Sequence, residues 1–298
     1  MSTATLSSAG GNREFTRQVN RQNRLLRSLR KDWWAMGSLA FLVIVTLVAI
    51  FSTWIVPDSI NDPNFGARLV PPLTDGYIAG TDQLGRDVWG RMLLGARVSL
   101  TVGFVTVICA ALIGVPIGML AGYFGGWLDV ILMRLVDVQL SFPFILLALT
   151  INAILGLGLR NIIITLVIAG WIEYARVARG ETLVVREKEF VQAAHLTGCG
   201  SPRIFVRHIL PNIITPLIVI GTLQVARFII AEASISFLGF GVQPPTAAWG
   251  SMVSEGLDYI FSAWWLITLP GLALAFVALA VNITGDWLRD TLDPRINT

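Results

Sequence analysis

The chain has little charge, and it lacks the motif by which many proteins bind nucleotides. Only 14% of its 298 residues are charged, against roughly 25% in ordinary soluble domains. It has two lysines, Lys31 and Lys188, and neither follows a glycine. The G-x-x-x-x-G-K-[ST] loop that cradles phosphates is therefore absent, and ATP binding by that route is excluded.

Cysteine and histidine are equally scarce. Cys109 lies in an apolar run and Cys199 in a polar one, so a disulfide is implausible and neither residue gives a metal pattern. His195 and His208 have no supporting cysteine or carboxylate pattern around them, and we expect structural roles for both. The sequence offers no catalytic constellation, so neither a catalytic residue nor a metal site is predicted.

Apolar sequence, by contrast, is abundant. Hydrophobic residues make up 54% of the chain, and the mean hydropathy is +0.69. Six apolar runs each approach the roughly 20 residues that a helix needs to cross a 30 Å hydrocarbon core. They are Trp34–Val56, Leu100–Tyr123, Leu140–Gly158, Ile162–Ala178, Ile213–Ala231 and Ala263–Ile283. We predict an all-α integral membrane protein with six transmembrane helices in one domain.

Basic residues near the spans predict the orientation, because cytoplasmic loops carry an excess of Lys and Arg. The N-terminal segment is rich in them, and apolar residues recur between them at partly helical spacing, which favours a basic amphipathic helix at the cytoplasmic surface over a disordered tail. Those basic residues are Arg13, Arg17, Arg21, Arg24, Arg27, Arg30 and Lys31. Both termini are then cytoplasmic. The predicted division is a cytoplasmic segment 1–33, a six-span domain 34–286 with a cytoplasmic loop 176–212 and outer loops 57–99 and 232–262, and a cytoplasmic tail 287–298.

Few polar residues fall inside the predicted spans. Asn152 and Gln224 lie at depth, where such side chains usually join helices. Glu173, Arg227 and Glu232 are expected near span ends. Because the spans lack the buried acidic and histidine clusters that proton-driven carriers commonly use, the energy source is expected to be external.

One polar stretch resembles a known signature. Gln192-Ala193-Ala194 is followed after three residues by Gly198, and after nine more by His208-Ile209-Leu210-Pro211. This is similar to the EAA motif (E-A-A, three residues, G, nine residues, I-x-L-P) of binding-protein-dependent ABC importer permeases, although Gln192 replaces the Glu and His208 the Ile. The alanines permit close approach of a partner, and Gly198 permits a turn. In that family the motif forms a short cytoplasmic coupling helix that fits a groove on the ATP-hydrolysing subunit.

Three further segments resemble the C-type inner-membrane subunit of dipeptide, oligopeptide and nickel importers. They are Gly80–Leu100, Ser236–Met252 and Asn282–Arg295. Together with the EAA-like motif they cover nearly the whole chain in the expected order.

The resemblance implies a type I ABC importer permease fold in a multi-pass protein of the bacterial inner membrane. It implies that the chain forms half of a translocation pathway for di- or oligopeptides, in a heterodimer with a homologous permease subunit. Two ABC ATPase subunits would hold ATP and Mg, and an extracytoplasmic binding protein would deliver the cargo. This chain would bind membrane lipid, but no cofactor and no nucleic acid.

Candidate site residues follow from the same resemblance. The residues expected to contact the ATPase are Gln192, Ala193, Ala194, Gly198, Leu210 and Pro211. The residues expected to flank this contact, or else to be solvated charges, are Arg179, Glu187 and Arg207. The outer-loop residues expected to contact a partner, or else to form a rigid connector, are Pro244, Pro245 and Trp249. Residues that bind the substrate are not predicted.

Three alternatives remain open at this stage. The chain could be a gradient-driven secondary carrier or channel that acts without ATP. It could be a membrane scaffold that transports nothing. It could also belong to an ABC importer of another cargo, such as nickel, glutathione, opines or haem.

Overall fold

The structure is nearly all helical. A computed structural model describes residues 28–29 and 32–292, so most of the predicted N-terminal amphipathic helix and the end of the predicted tail lie outside the described residues. The α-helices in this part of the chain are α1 (Trp33–Ile55), α2 (Val88–Phe124), α3 (Gly126–Leu140), α4 (Phe144–Leu155), α5 (Leu159–Arg186), α6 (Glu189–Leu196), α7 (Ser201–Ile204), α8 (Leu210–Phe237), α9 (Trp249–Gly256) and α10 (Trp265–Leu292). The all-α prediction is confirmed.

Five of the described helices are long and apolar enough to cross a membrane: α1, α2, α5, α10 and α8 with the turns that lead into it. A sixth crossing is available only if α3 and α4 count as one span, and these two helices are bent by 89° to each other. Pro143 lies at this break, where it cannot donate a backbone hydrogen bond and disfavours helix in the residue before it. Six spans are therefore compatible with the structure. The predicted third span, Leu140–Gly158, contains only the 12-residue helix α4, and a crossing there would also need α3.

Four of the helices, α2, α5, α8 and α10, extend past the apolar runs that predicted them. Helix α2 begins at Val88 rather than near Leu100. Its N-cap is Asp87, whose carboxylate accepts hydrogen bonds from the backbone N–H groups of Trp89 and Gly90 at 3.2 and 3.1 Å, as such caps commonly do. The apolar runs indicate which residues lie in the hydrocarbon core, whereas the capping residues determine where the helices begin and end.

Helices α2 and α5 approach each other so closely that their backbones touch. Gly114, Gly118 and Gly122 form one stripe of α2, one turn apart. A Cβ atom on Gly118 would lie only 2.2 Å from the carbonyl oxygen of Ala175 in α5, and one on Gly114 would lie 2.2 Å from that of Trp171. The G-x-x-x-G spacing that allows this packing in membranes is present in the sequence, but the sequence reasoning did not use it.

A buried charge cluster holds together the end of the bundle opposite α6. Asp82 accepts hydrogen bonds from Arg86 Nε at 2.7 Å and from Arg91 Nη1 at 2.5 Å. The same two arginines donate to Glu255 Oε2 at 2.9 and 3.1 Å. Both arginines are almost fully buried, and such groups are stable inside a protein only when paired. The cluster joins the start of α2 to α9.

Two of the polar side chains buried inside the bundle, Glu232 and Asn152, also have partners. Glu232 of α8 is fully buried and accepts from Ser99 at 3.1 Å and from Ser236 at 2.7 Å. Asn152 of α4 donates to the carbonyl oxygen of Phe240, just beyond α8. The expectation that Asn152 joins two parts of the bundle is confirmed.

Candidate coupling surface

The chain between α5 and α8 folds into a compact connecting segment, residues 187–209. Helix α6 begins after Lys188, whose extended backbone (φ −73°, ψ 143°) redirects the chain after α5. A short helix, α7, and a π-helical turn at Phe205–Ile209 then lead into α8. Val191, Ile204 and Ile209 are buried in one apolar cluster with Ile213 of α8. This burial fixes the segment against the bundle.

Gly198 ends α6 in a conformation that L side chains rarely adopt. Its φ is +78°. Its N–H donates to the carbonyl oxygen of His195, and the N–H of Cys199 donates to that of Ala194, both at 3.0 Å. These two bonds form a Schellman motif, in which glycine is the usual residue at this position. The glycine of the EAA-like motif is therefore explained by the backbone itself.

The remaining residues of that motif divide into exposed and packed positions. Gln192 and Ala193 are exposed, whereas Ala194 and Leu210 pack partly against the apolar cluster. Pro211 is exposed in the first turn of α8, where its missing N–H costs nothing. Ala194, Gly198 and Leu210 thus shape the segment, and Gln192 and Ala193 are the motif residues on its free surface.

Large apolar side chains lie uncovered around α6. Leu196 is 88% exposed, Val206 68% and Phe190 41%. Phe190 and Leu196 belong to α6, which contains Glu189 and is not one of the candidate membrane spans, so these two are not simply the lipid-facing side of a span. Exposed apolar groups rimmed by polar ones commonly mark a surface for another protein. We call Gln192, Ala193 and these three side chains the coupling surface.

The three predicted flanking charges lie in different settings. Arg179 donates to both carboxylate oxygens of Asp129, from Nε at 2.5 Å and Nη2 at 2.6 Å, and so ties α5 to α3. Glu187 accepts from its neighbour Arg186 at 3.0 Å. Arg207 is exposed beside α6. Arg179 is thus engaged within the chain, and Arg207 is the flanking cation placed at the surface.

The predicted outer-loop residues also differ in their exposure. Pro244 and Pro245 are exposed in the loop between α8 and α9. Trp249 is only 3% exposed, and its indole N–H donates to the carbonyl oxygen of Met92 at 3.0 Å. The tryptophan therefore locks α9 onto α2, and the two prolines form the free part of the loop.

Glu173 and Arg227, two residues expected near span ends, form an ion pair with Glu173 Oε1 2.8 Å from Arg227 Nη1. Both lie well inside their helices α5 and α8. The predicted fourth span stops at Ala178, whereas α5 continues to Arg186, so the end of this helix is not the end of the predicted span. Within the described residues no group of three or more His, Cys, Asp or Glu side chains could hold a metal ion.

Comparison with known families gives two matches. The family described as "Binding-protein-dependent transport system inner membrane component" matches residues 114–298. The family described as "N-terminal TM domain of oligopeptide transport permease C" matches residues 23–72. The match at residues 114–298 includes α5, the connecting segment and α8.

Individual relatives cover most of the chain. A Brucella suis protein provisionally named a peptide transport system permease is 44% identical over 91% of this chain and 90% of its own length. The di/tripeptide transport system permease protein DppC of Pseudomonas aeruginosa is 39% identical, with 88% of each chain covered. The glutathione transport system permease protein GsiD of Escherichia coli is 40% identical over 91% of this chain and 89% of its own.

Solved structures share the fold. The MetNI methionine ABC transporter, crystallised in inward facing conformations, matches with a TM-score of 0.57 at 18% identity, over 69% of this chain and 97% of that one. Its native crystal form matches with a TM-score of 0.56 at 19% identity, over 68% and 96%. At this identity the likeness concerns the fold alone.

Proposed function

Because the chain belongs to the family of binding-protein-dependent transport system inner membrane components, we propose that it forms one half of the membrane pathway of an ATP-driven importer of short peptides. It is a multi-pass inner-membrane protein with the fold of a type I ABC importer permease. The proposal extends this assignment to its cargo, its partners and its coupling to ATP.

The observation that carries the proposal is the preformed coupling surface. Helix α6 is anchored by buried Val191 and closed by Gly198, yet its Gln192 and Ala193 are exposed beside bare apolar side chains. A rigid, uncovered helix at one end of a membrane bundle suits a soluble partner that pushes or pulls on it. In this family that partner would be an ATPase, and the chain itself carries no phosphate loop.

The proposed assembly contains a homologous permease subunit, two ATPase subunits on the side of α6, and a binding protein on the opposite side. Both termini of this chain would then be cytoplasmic. ATP binding would draw the ATPases together, and α6 would pass that movement to α5 and α8. ATP can shift the equilibrium between two arrangements of the pathway only if the transporter binds ATP more tightly in one of them.

Peptides are the proposed cargo because relatives named for peptide or di/tripeptide transport match nearly the whole chain. A relative named for glutathione transport matches equally well, and glutathione is itself a modified tripeptide. Both names point to small zwitterionic peptides. A gradient-driven carrier is the rival, and it predicts uptake by this chain without ATP.

The test uses proteoliposomes that contain this chain with its partner permease and ATPases, and trialanine delivered by the cognate binding protein. Uptake should require ATP and the binding protein. Ala193→Trp enlarges an exposed side chain and should leave the bundle intact. It should nevertheless reduce uptake by about tenfold or more, since one blocked contact at an interface centre commonly exceeds 1.4 kcal/mol.

The matched control is Ala40→Trp, which enlarges an exposed alanine of α1. It should retain ATP-driven uptake. Gly198→Asp, which forces a side chain onto a left-handed backbone, should lose uptake while still inserting in the membrane. Full ATP-driven uptake by both Ala193→Trp and Gly198→Asp would exclude the coupling role, and gradient-driven uptake by the chain alone would favour the carrier.

A further inference from the structure

The Glu173–Arg227 ion pair lies near the middle of two candidate membrane-spanning helices and is partly exposed. Glu173 lies about 20 Å from either end of α5 at 1.5 Å per residue, and Arg227 lies about 15 Å from the Phe237 end of α8. The side chains are 38% and 47% exposed. The chain therefore leaves a large part of this ion pair uncovered within its apolar helices.

Charges inside a membrane-spanning helix do not face lipid without a large cost. Ionisable side chains within transmembrane segments almost always face the bundle interior or a water-filled cavity. This chain leaves the pair open, so the remaining cover must be water or the second half of the pathway. The exposed side of the pair therefore faces the translocation pathway.

The surroundings of the pair are those of a binding crevice. The crevice beside it is lined by both glutamines of this region, Gln139 and Gln224, and by Phe142 and Phe144. Phe142 lies in the break between α3 and α4, and irregular backbone at membrane depth is tolerated where it is buried in protein or lines a cavity. The crevice is therefore lined by non-helical backbone, two side-chain amides, one positive charge and one negative charge.

Three contacts hold the crevice in shape. The guanidinium of Arg227 lies 5.1 Å from the ring centroid of Phe144, a favourable cation–π arrangement that orients the side chain. Gln139 donates to the carbonyl oxygen of Ile168 at 2.5 Å and accepts from the indole N–H of Trp171 at 3.1 Å. The charged groups are therefore presented by oriented neighbours.

We propose that Arg227 and Glu173 form a subsite for the terminal charges of a peptide in the pathway, Arg227 binding the α-carboxylate and Glu173 the α-ammonium. This rests on the proposed function as a peptide importer. Without cargo the two side chains neutralise each other. A zwitterionic peptide replaces that one contact by two, so no charge is left unpaired in a poorly hydrated place. The planar guanidinium also suits a carboxylate, which it can bind through two parallel hydrogen bonds.

The test compares trialanine with trialanine amide in ATP-driven proteoliposomes that contain the complete transporter and one binding protein. The amide lacks the carboxylate that Arg227 would bind. Arg227→Gln should reduce trialanine uptake by about tenfold, as expected for the loss of one charge-assisted contact, and should leave the rate for the amide nearly unchanged. The binding protein is identical in all samples, so its own preference cancels when wild type and variant are compared. Equal loss for both peptides would overturn the proposal.

A double variant separates binding from a purely structural role. Removing one member of a structural pair leaves an unpaired charge, whereas removing both is often nearly neutral. If the pair only joins α5 to α8, Glu173→Gln/Arg227→Gln should recover the trialanine uptake that Arg227→Gln loses, and the proposal falls. If the pair binds peptide, the double variant stays as slow as the single one.

The matched control is Asp137→Asn, which breaks the neighbouring exposed pair of Asp137 with Arg176, 3.0 Å apart. It should preserve the preference for trialanine over the amide, and loss of that preference would refute the assignment to Arg227. If the wild-type transporter takes up neither peptide with ATP, the proposed peptide import fails. If it takes up trialanine and the variants slow both peptides alike, only the subsite fails.

Discussion

Substituting Gly118 by alanine should destabilise the bundle through the contact of α2 with α5. The new Cβ would lie 2.2 Å from the carbonyl oxygen of Ala175 and 2.8 Å from the Cβ of Ala178. Carbon and oxygen atoms at such contacts lie about 3.3–3.6 Å apart, so the backbones must separate by about 1 Å. Overpacking of this kind typically costs about 1–3 kcal/mol. We therefore expect a lower unfolding temperature for the purified transporter.

The unfolding can be followed with a thiol-reactive fluorophore, because both Cys109 and Cys199 are partly shielded in the folded chain. The matched control is Gly180→Ala in the facing helix α5, where the added Cβ meets nothing within 4 Å. At an exposed position inside a helix, alanine is more favourable than glycine by about 1 kcal/mol, so this variant should unfold no earlier than wild type. Equal unfolding temperatures for Gly118→Ala and Gly180→Ala would refute the close-contact reasoning.

Three further predictions concern charged side chains. Asp82→Asn removes the carboxylate that two buried arginines share, so it should lower the free energy of unfolding by about 3–5 kcal/mol. The thiol assay should show earlier unfolding for this variant, whereas the control Asp62→Asn, at an exposed position, should unfold like wild type. Unchanged unfolding of Asp82→Asn would contradict the role of the cluster. Arg179→Gln breaks the double contact with Asp129 and should lower stability by about 1 kcal/mol, a modest value because the pair is partly exposed. Arg207→Gln should leave stability unchanged and reduce only ATP-driven uptake, and the opposite pattern would contradict the division drawn between these two arginines.

Some of the fold and site follows directly from the sequence. The apolar runs predict membrane helices because only helices satisfy their backbone groups in lipid, and the glycine of the EAA-like motif predicts a turn that the structure has at Gly198. Asp87 before α2 could also have been predicted as a cap. These are local signals, and each depends on neighbours within a few positions.

The parts that could not be predicted depend on distant partners. Arg179 is held by Asp129, fifty positions away, and Trp249 is buried by its contact with Met92. Sequence spacing does not show such pairs. The end of α5 could not be predicted for a related reason, because the hydropathy of the helix falls before Arg186, where the helix ends. The glycine stripe of α2 is different. Its spacing is visible in the sequence, but the sequence does not show which helix packs against it.

Helix α5 connects the two regions that we propose to act in transport. Its C-terminal end joins α6 through Glu187 and Lys188, and Glu173 lies about 24 Å up the chain from the start of α6 at 1.5 Å per residue. Between these points α5 is in backbone contact with α2 at Gly118 and Gly122 and is tied to α3 by Arg179. Backbones that touch without intervening side chains have no flexible groups to absorb a small displacement, because protein interiors are closely packed. A movement imposed on α6 is therefore expected to shift α2, α3 and α5 together and to carry Glu173 with them. Under that mechanism the ATPase end and the charged crevice change in one step, so peptide release does not need a separate gate in this half of the pathway.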